Sequence, residues 1–383
     1  MVESPADTHA ALKRDLAEIA RRQGFVAMGV APAVEDREAR AITLRRIEDG
    51  SFRGLPWFDA ARVVRATDPR LVLPGARSVI LLAASYAHSA PEIRDRRLRG
   101  RVSRYAWGRD YHRVLEKRAR PVVARLREAV PGSRQRVMVD HGPLLERAYA
   151  RAAGLGWQGK NTMLLTRGVG SYTLIASLLT TVVLEPDAPV AQSCGACTRC
   201  LPSCPTGALR SPGELVNDLC ISYHTIENRG AIPRELRPLV GDWVFGCDLC
   251  QEACPVNDGV PAAGLAELDA ASADDAFPDL LELLAFSEEE FRRRFAGRPL
   301  MRAKYGGMLR NVCVALGNLG DANAVPALER ALTHREPLVR GHAAWALGRL
   351  GATRPLRSRS AVETDEWVRT EIAAALADGE AAA

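Results

Sequence analysis

Cys194-Gly-Ala-Cys197-Thr-Arg-Cys200-Leu-Pro-Ser-Cys204-Pro205 and, further along, Cys247-Asp-Leu-Cys250-Gln-Glu-Ala-Cys254-Pro255 decide how this chain is read. The first run has the C-x2-C-x2-C-x3-C-P spacing with which thiolates hold a cubane [4Fe–4S] cluster. The second lacks one C-x2-C step, and Cys220 lies between the two. A cluster takes four thiolates, so these cysteines suffice for two clusters. In two-cluster ferredoxins the fourth Cys of a run ligates the other cluster. Crossing the ligands in that way assigns Cys194, Cys197, Cys200 and Cys254 to one cluster. It assigns Cys204, Cys220, Cys247 and Cys250 to the other. Zinc is the competing reading, because paired C-x2-C steps also suit a tetrahedral ion. Three close cysteines and the Cys-Pro endings favour iron–sulfur. The ninth cysteine, Cys313, falls on an apolar helical face and reads as a small buried hydrophobe.

The rest of the chain must contain what the electrons serve. At 383 residues there is room for two or three domains. A composition of 47% hydrophobic and 26% charged residues is that of a globular protein. No run reaches the length of a membrane span. The polar N-terminus lacks the pattern of a signal peptide. A cytoplasmic location is expected, where grouped cysteines bind metal rather than pair as disulfides. The net charge is +6, and Lys13, Lys117, Lys160 and Lys304 are the only lysines among the basic residues. Codon bias accounts for most of the arginines, although a modest positive balance also suits an anionic partner.

Before the cysteines, apolar spacing predicts a helix over 8–24 and strands at Phe25–Val30, Ser78–Ala84 and Gln135–Val139. A helix is predicted from Pro143 to Ala153, Pro standing at its start. Tyr172 to Leu184 reads as one bent strand or two short ones. Alternating strands and helices predict an α/β or α+β domain, bounded by Pro186-Asp-Ala-Pro189. At the other end, Ala315-Leu-Gly-Asn-Leu-Gly320 recurs as Ala346-Leu-Gly-Arg-Leu-Gly351, and Val339-Arg340 as Val368-Arg369. A period near 30 with paired helices resembles HEAT repeats, whose stacked faces commonly bind a large partner. A helical cap without a binding role is the alternative.

The expected fold is therefore an α+β multidomain protein. Residues 1–188 form an N-terminal α/β domain, 189–260 a ferredoxin-like two-cluster domain, 261–300 a helical connection and 301–383 the α-helical HEAT-like repeats.

Three stretches together resemble the epoxyqueuosine reductase family. They are Arg104-Tyr-Ala-Trp-Gly-Arg-Asp-Tyr-His112, Val139-Asp-His-Gly-Pro-Leu-Leu-Glu-Arg-Ala148 and Gly154-Leu-Gly-Trp-Gln-Gly-Lys-Asn-Thr162. The match continues through Cys220-Ile-Ser-Tyr-His-Thr-Ile-Glu-Asn228, Phe245-Gly-Cys-Asp-Leu-Cys250 and the terminal repeat. The resemblance implies a cobalamin-dependent enzyme that makes residues 1–188 the cobalamin-binding, catalytic domain. It implies reduction of epoxyqueuosine to queuosine at the tRNA wobble position, the last step of queuosine synthesis. Electrons would pass through the two clusters to a cob(I)alamin that attacks the epoxide. Its partners would be a tRNA anticodon stem-loop and a low-potential electron donor, with no membrane and a monomeric state. The readings left beside it are a dehalogenase-like cobalamin reductase of a small molecule, and a ferredoxin-type electron carrier whose helical tail binds a protein.

By the same resemblance Asp140 is the proton donor. From the residues alone, it ends an apolar strand, where α/β folds place ligands, but a helix N-cap is the reading they favour. Tyr105, Asp140, Trp157, Lys160, Asn161, Ser222 and Asp248 are the expected cobalamin contacts. Ser222 and Asp248 flank ligands of the second cluster, which puts that cluster nearer the corrin. For Lys160 and Asn161 an ordinary solvated turn is the alternative, and for Trp157 a core position. Tyr111 and His112 are assigned to packing, and His141 to a neighbour of the acid or an exposed site. Asp110-Tyr-His112 lacks the Gly of the D-x-H-x-x-G motif, so no histidine is expected on cobalt. Arg310, Arg340 and Arg369 would meet phosphates or form ion pairs between repeats.

Overall fold

The computed structural model of the chain describes residues 5–93, 95 and 97–381. It divides into two compact units. One comprises Met1–Ser89, Arg109–Asp218 and Leu249–Asp269; the other comprises Ala90–Gly108, Leu219–Asp248 and Ala270–Ala383.

The first unit is built on four strands: β1 (Ala27–Pro32), β2 (Ser78–Ser85), β3 (Gln135–Met138) and β4 (Thr173–Thr180). They lie in the order β1-β2-β4-β3. Every ladder is antiparallel, with Leu81 opposite Gly29 on one side and Ser177 on the other. The sheet is thus of the α+β kind, and the parallel-sheet rationale for a ligand beyond β3 does not apply. Every residue of β2 is buried, which explains its unbroken apolar sequence. Three helices pack on the sheet: α1 (Pro5–Arg22), α2 (Tyr111–Ala129) and α3 (Glu146–Ala152). Val79, Leu81 and Ala83 share a core with Tyr149 and Ala150 of α3. Burying a leucine of this kind is worth about 1.5–3 kcal/mol.

Gly29 explains how closely α3 approaches. A Cβ there would stand 2.2 Å from the Ala153 carbonyl oxygen and 2.4 Å from Leu155. Gly29→Ala is therefore expected to cost about 1–3 kcal/mol through overpacking. A thermal melt that matches the parent would refute this account of the contact.

One sequence expectation changes here, and one is decided between its alternatives. The helix expected from Pro143 begins only at Glu146, because residues 139–145 form an irregular loop. Of the two readings of Tyr172–Leu184, one strand or two, the chain forms one, β4.

In the second unit, Trp243–Phe245 pairs in parallel with Arg101–Val102. A short helix α4 (Ile221–Ile226) has Cys220 as its N-cap. The repeats follow as α5 (Tyr305–Leu319), α6 (Val325–Ala331), α7 (Pro337–Arg349), α8 (Thr353–Ser360) and α9 (Glu366–Ala381). Packing of α5 on α7 and of α7 on α9 explains the repeated Ala-Leu-Gly. A Cβ on Gly317 would stand 2.9 Å from Ala346 Cα, and one on Gly348 would stand 2.7 Å from the Ala375 carbonyl oxygen. The second glycine of each repeat, Gly320 and Gly351, has φ near +70° and +68° and ends its helix in the left-handed conformation.

The arginines offered as phosphate contacts divide. Arg310 is 1% exposed and donates to the carbonyls of His224, Asn228 and Gly230 and to Asn311 Oδ1. Burial without a carboxylate partner pushes its guanidinium down to about 9. Arg340 forms a two-pronged pair with Glu363, both bonds at 2.8 Å, and Arg359 joins it. These bonds, led by that from Arg340, pull Glu363 down to about 2. Arg310 and Arg340 are therefore internal braces rather than phosphate contacts, whereas Arg369 stays exposed.

Asn311 is a second brace. Its amide donates to the carbonyls of Thr225 and Val244, each at 2.9 Å, tying α4 to the strand Trp243–Phe245. Asn311→Leu would strand two buried carbonyls and should cost about 2–4 kcal/mol, read as a fall in the denaturation midpoint. An unchanged midpoint would contradict it.

Candidate active site and metal centre

None of the nine cysteines is in a disulfide, and Cys200, Cys254 and Cys313 are buried. The chain from Cys194 to Cys204 runs in successive turns, with Cys197 N donating to the Cys194 carbonyl at 3.1 Å. Burial raises the Cys200 thiol, and the neighbouring Cys254, Cys194 and Cys197 raise it further. Burial likewise raises Cys254, with Cys194 and Cys197 adding to it. The charges of Cys194 and Cys197 thus act on both Cys200 and Cys254, and crossing assigns these four residues to one cluster. Among the described residues, no three His, Cys, Asp or Glu side chains are drawn together closely enough for a single ion. Cys254 caps the short turn Pro255–Asn257, so the Pro of the Cys-Pro ending stands at the first helical position. Cys313 is fully buried in α5, as the sequence predicts, and burial pushes its thiol well up.

Polar contacts hold these segments. Lys160 Nζ donates to the Gly195 carbonyl at 2.8 Å, and Asn161 Nδ2 to the Cys250 carbonyl at 3.2 Å. Asn161 is 3% exposed, and its Oδ1 accepts from Met163 N within its own turn. Gln251, beside Cys250, accepts from Ser171 Oγ at 2.9 Å, while Asn257 donates to Ser171 Oγ at 2.9 Å. The glycines before Lys160 serve packing. A Cβ on Gly156 would stand 2.1 Å from the Leu165 carbonyl oxygen, and one on Gly159 would stand 2.5 Å from Asn161 Oδ1. Trp157, between them, is partly buried, and its indole Nε1 is a buried donor with no acceptor among the described residues.

Asp140 lies just beyond β3 in the loop that precedes α3. It is not a helix N-cap, since α3 is preceded by Leu145 and has no side-chain cap. Its φ is +59°, and His141 N donates to the Val139 carbonyl across it at 2.5 Å. This is a positive-φ γ-turn, a rare and strained conformation. Tyr111 Oη donates to Asp140 Oδ2 at 2.6 Å, and His112 Nε2 lies 3.8 Å from the same oxygen. Asp110, the N-cap of α2, holds His112 by Nδ1 at 2.7 Å. Burial lowers the tendency of His112 to protonate, but Asp110 and then Asp140 outweigh it and raise the imidazole above its ordinary value. The Asp140 backbone N–H points at Glu146, 3.0 and 3.1 Å from its two carboxyl oxygens. Removal from water, and next the charge of Asp140, push Glu146 up to about 8.

The sequence reading missed three of these neighbours. Tyr111 and His112 were assigned to packing; Tyr111 does pack, but its hydroxyl also reaches the acid. Glu146 stands six residues after Asp140, a spacing with no helical or strand meaning. His141 turns away from the acid, its Nδ1 to the Val139 carbonyl and its Nε2 3.5 Å from Glu116.

In the second unit, Asp248 is 3% exposed and its carboxylate accepts from Ser103 Oγ at 2.6 Å and from Arg104 N at 2.7 Å. It thereby fixes the turn that carries Tyr105, whose ring is 6.2 Å from that of Phe245. Ser222 lies in the first turn of α4, two residues after Cys220. No helix among the described residues is long and apolar enough to cross a membrane.

Comparisons with known proteins match these parts. Residues 193–257 match the family of 4Fe-4S double cluster binding domains, and residues 300–377 match HEAT repeats. An α+β domain joined to a double-cluster segment and a helical-repeat stack defines an iron–sulfur oxidoreductase of multidomain build. Residues 66–141 match the model of epoxyqueuosine reductase QueG. The epoxyqueuosine reductase of Pseudomonas aeruginosa is 40% identical over 358 residues, 91% of this chain and 97% of that one. A solved epoxyqueuosine reductase with an epoxyqueuosine-modified tRNA-Tyr stem loop superposes with a TM-score of 0.90 at 33% identity, covering 97% of this chain and 99% of that one. Another, from Bacillus subtilis, was solved with its aspartate-bearing catalytic loop swung out of the active site; it has a TM-score of 0.89 at 33% identity, covering 96% and 99%. The chain belongs to the epoxyqueuosine reductase family.

Proposed function

We propose that the chain reduces epoxyqueuosine to queuosine at the wobble position of tRNA, in the cytoplasm. The observation that carries this is the likeness, over 97% of the chain, to a reductase solved with an epoxyqueuosine-modified stem loop. The reaction removes the epoxide oxygen as water and leaves an alkene, so it consumes two electrons and two protons. A low-potential one-electron donor supplies the electrons. Cys194, Cys197, Cys200 and Cys254 would hold one [4Fe–4S] cluster and Cys204, Cys220, Cys247 and Cys250 the other. When bound, the clusters pass single electrons and cobalamin supplies a strongly reducing, nucleophilic cobalt.

The chain's own residues suit these groups. No disulfide ties up these cysteines, and the buried Trp157 Nε1 offers a donor to a bound molecule. Tyr105, Trp157, Lys160, Asn161, Ser222 and Asp248 are the cobalamin contacts in this reading. Asp140 protonates the epoxide oxygen as its C–O bond breaks. Its side chain is 67% exposed in the protein alone. Tyr111 holds the carboxyl in place through Oδ2. Recognition of the wobble base requires splaying it out of the anticodon loop.

The test of the cofactor is anaerobic reconstitution with iron, sulfide and cobalamin. The protein should carry iron for two clusters and show corrin absorption after desalting. Iron without corrin would leave an electron carrier and overturn the proposal.

A further inference from the structure

We infer that Glu146 is the positioning residue of the acid loop: its carboxyl latches the backbone N–H of Asp140 and holds the γ-turn that presents the Asp140 side chain to substrate. The inference rests on the reading of Asp140 as the acid and deepens it. Three independent contacts carry it. Both Glu146 oxygens lie at hydrogen-bond distance from Asp140 N, at 3.0 and 3.1 Å. Glu146 is itself anchored, because Ser177 Oγ on the buried strand β4 donates to its Oε1 at 3.2 Å. The loop folds back so tightly that a Cβ on Gly142 would meet Met138 Sδ at 2.5 Å, which fixes the segment between the latch and the strand end.

The physical need for a latch is local. A non-glycine residue at φ +59° within a γ-turn is strained, and strained turns persist only where surrounding contacts over-determine them. Tyr111 restrains the Asp140 side chain, but it does not restrain the peptide that sets φ. Glu146 does, because it binds the N–H of that peptide. A second carboxylate beside Asp140 would repel it. Glu146 avoids this by being held largely uncharged near neutral pH, its carboxyl pushed up to about 8. Glutamine, neutral and with the same acceptor at the same reach, is therefore its functional equivalent, while alanine is not.

The experiment compares Glu146→Ala and Glu146→Gln in the reconstituted holoenzyme. For Ala, kcat should fall roughly 10- to 100-fold, the cost of a misplaced catalytic group, with KM for the modified stem loop within about twofold of the parent. Gln should stay within about threefold of the parent in both. Amide exchange is measured on the same three proteins without tRNA, so its outcome does not depend on the reaction assigned. The Asp140 N–H should exchange faster in Ala and at the parental rate in Gln. An Ala variant with parental kcat and parental exchange overturns the inference. A Gln variant as impaired as Ala also overturns it, since that would require an exchangeable proton at Glu146. If Ala fails to fold, Gln against Ser177→Ala decides: loss of Asp140 N–H protection in Ser177→Ala alone supports the anchored latch, and parental protection in that variant refutes it. A parent that lacks turnover while the exchange pattern holds would count against the assigned reaction and leave the latch standing.

Discussion

Asp140→Asn should abolish most turnover while leaving the protein loaded. General acids contribute about 10²–10⁴-fold to rate, and a loss in that range is expected in single-turnover conversion of the modified stem loop. Asparagine keeps the size, tolerates the positive φ, and still offers an oxygen to the Tyr111 hydroxyl. The γ-turn and the Glu146 contact to the backbone N–H remain, because neither uses the side chain. Iron content and corrin absorption should therefore match the parent. The variant isolates the proton from the scaffold. A rate within a few-fold of the parent would remove Asp140 from the acid role and shift attention to Tyr111 and His112, which lie 2.6 and 3.8 Å from the same oxygen.

The second large effect concerns the crossed ligands. Cys254→Ala should lose the same cluster as Cys194→Ala, though the two cysteines lie in different runs, and Cys204→Ala should lose the same cluster as Cys247→Ala. Each variant should keep about half the iron, one cubane having lost one of its four thiolates. Electron paramagnetic resonance of the reduced proteins should sort the four into two matching pairs. Turnover should vanish in all four, since a broken relay delivers no electrons. A sorting by run, with Cys254→Ala resembling Cys247→Ala, would contradict the crossing.

Much of this was legible in the sequence, for identifiable reasons. The strand at Ser78 could be read because burial on both faces demands an unbroken apolar run. The repeats could be read because Gly317 and Gly348 sit where helices touch and Gly320 and Gly351 where they end, so the same residues recur. The family was legible from short stretches spread over the whole chain. The helix start at Pro143 was misread because proline's fixed φ suits a turn as well as a first helical position. The antiparallel strand order was hidden because pairing is non-local. The fates of Arg310 and Arg340 were hidden for a related reason: an arginine on a repeat looks the same whether it faces a phosphate or caps a buried carbonyl. Glu146 was invisible because only the fold, through a three-residue turn, brings it under Asp140.

The most direct test of the central claim is nucleoside analysis of tRNA after anaerobic incubation with the reconstituted protein, cobalamin and a low-potential reductant. The account predicts that epoxyqueuosine disappears and queuosine appears in equal amount, with no conversion when cobalamin is withheld. Epoxyqueuosine left unchanged by fully loaded protein, with iron for two clusters and bound corrin, would contradict it.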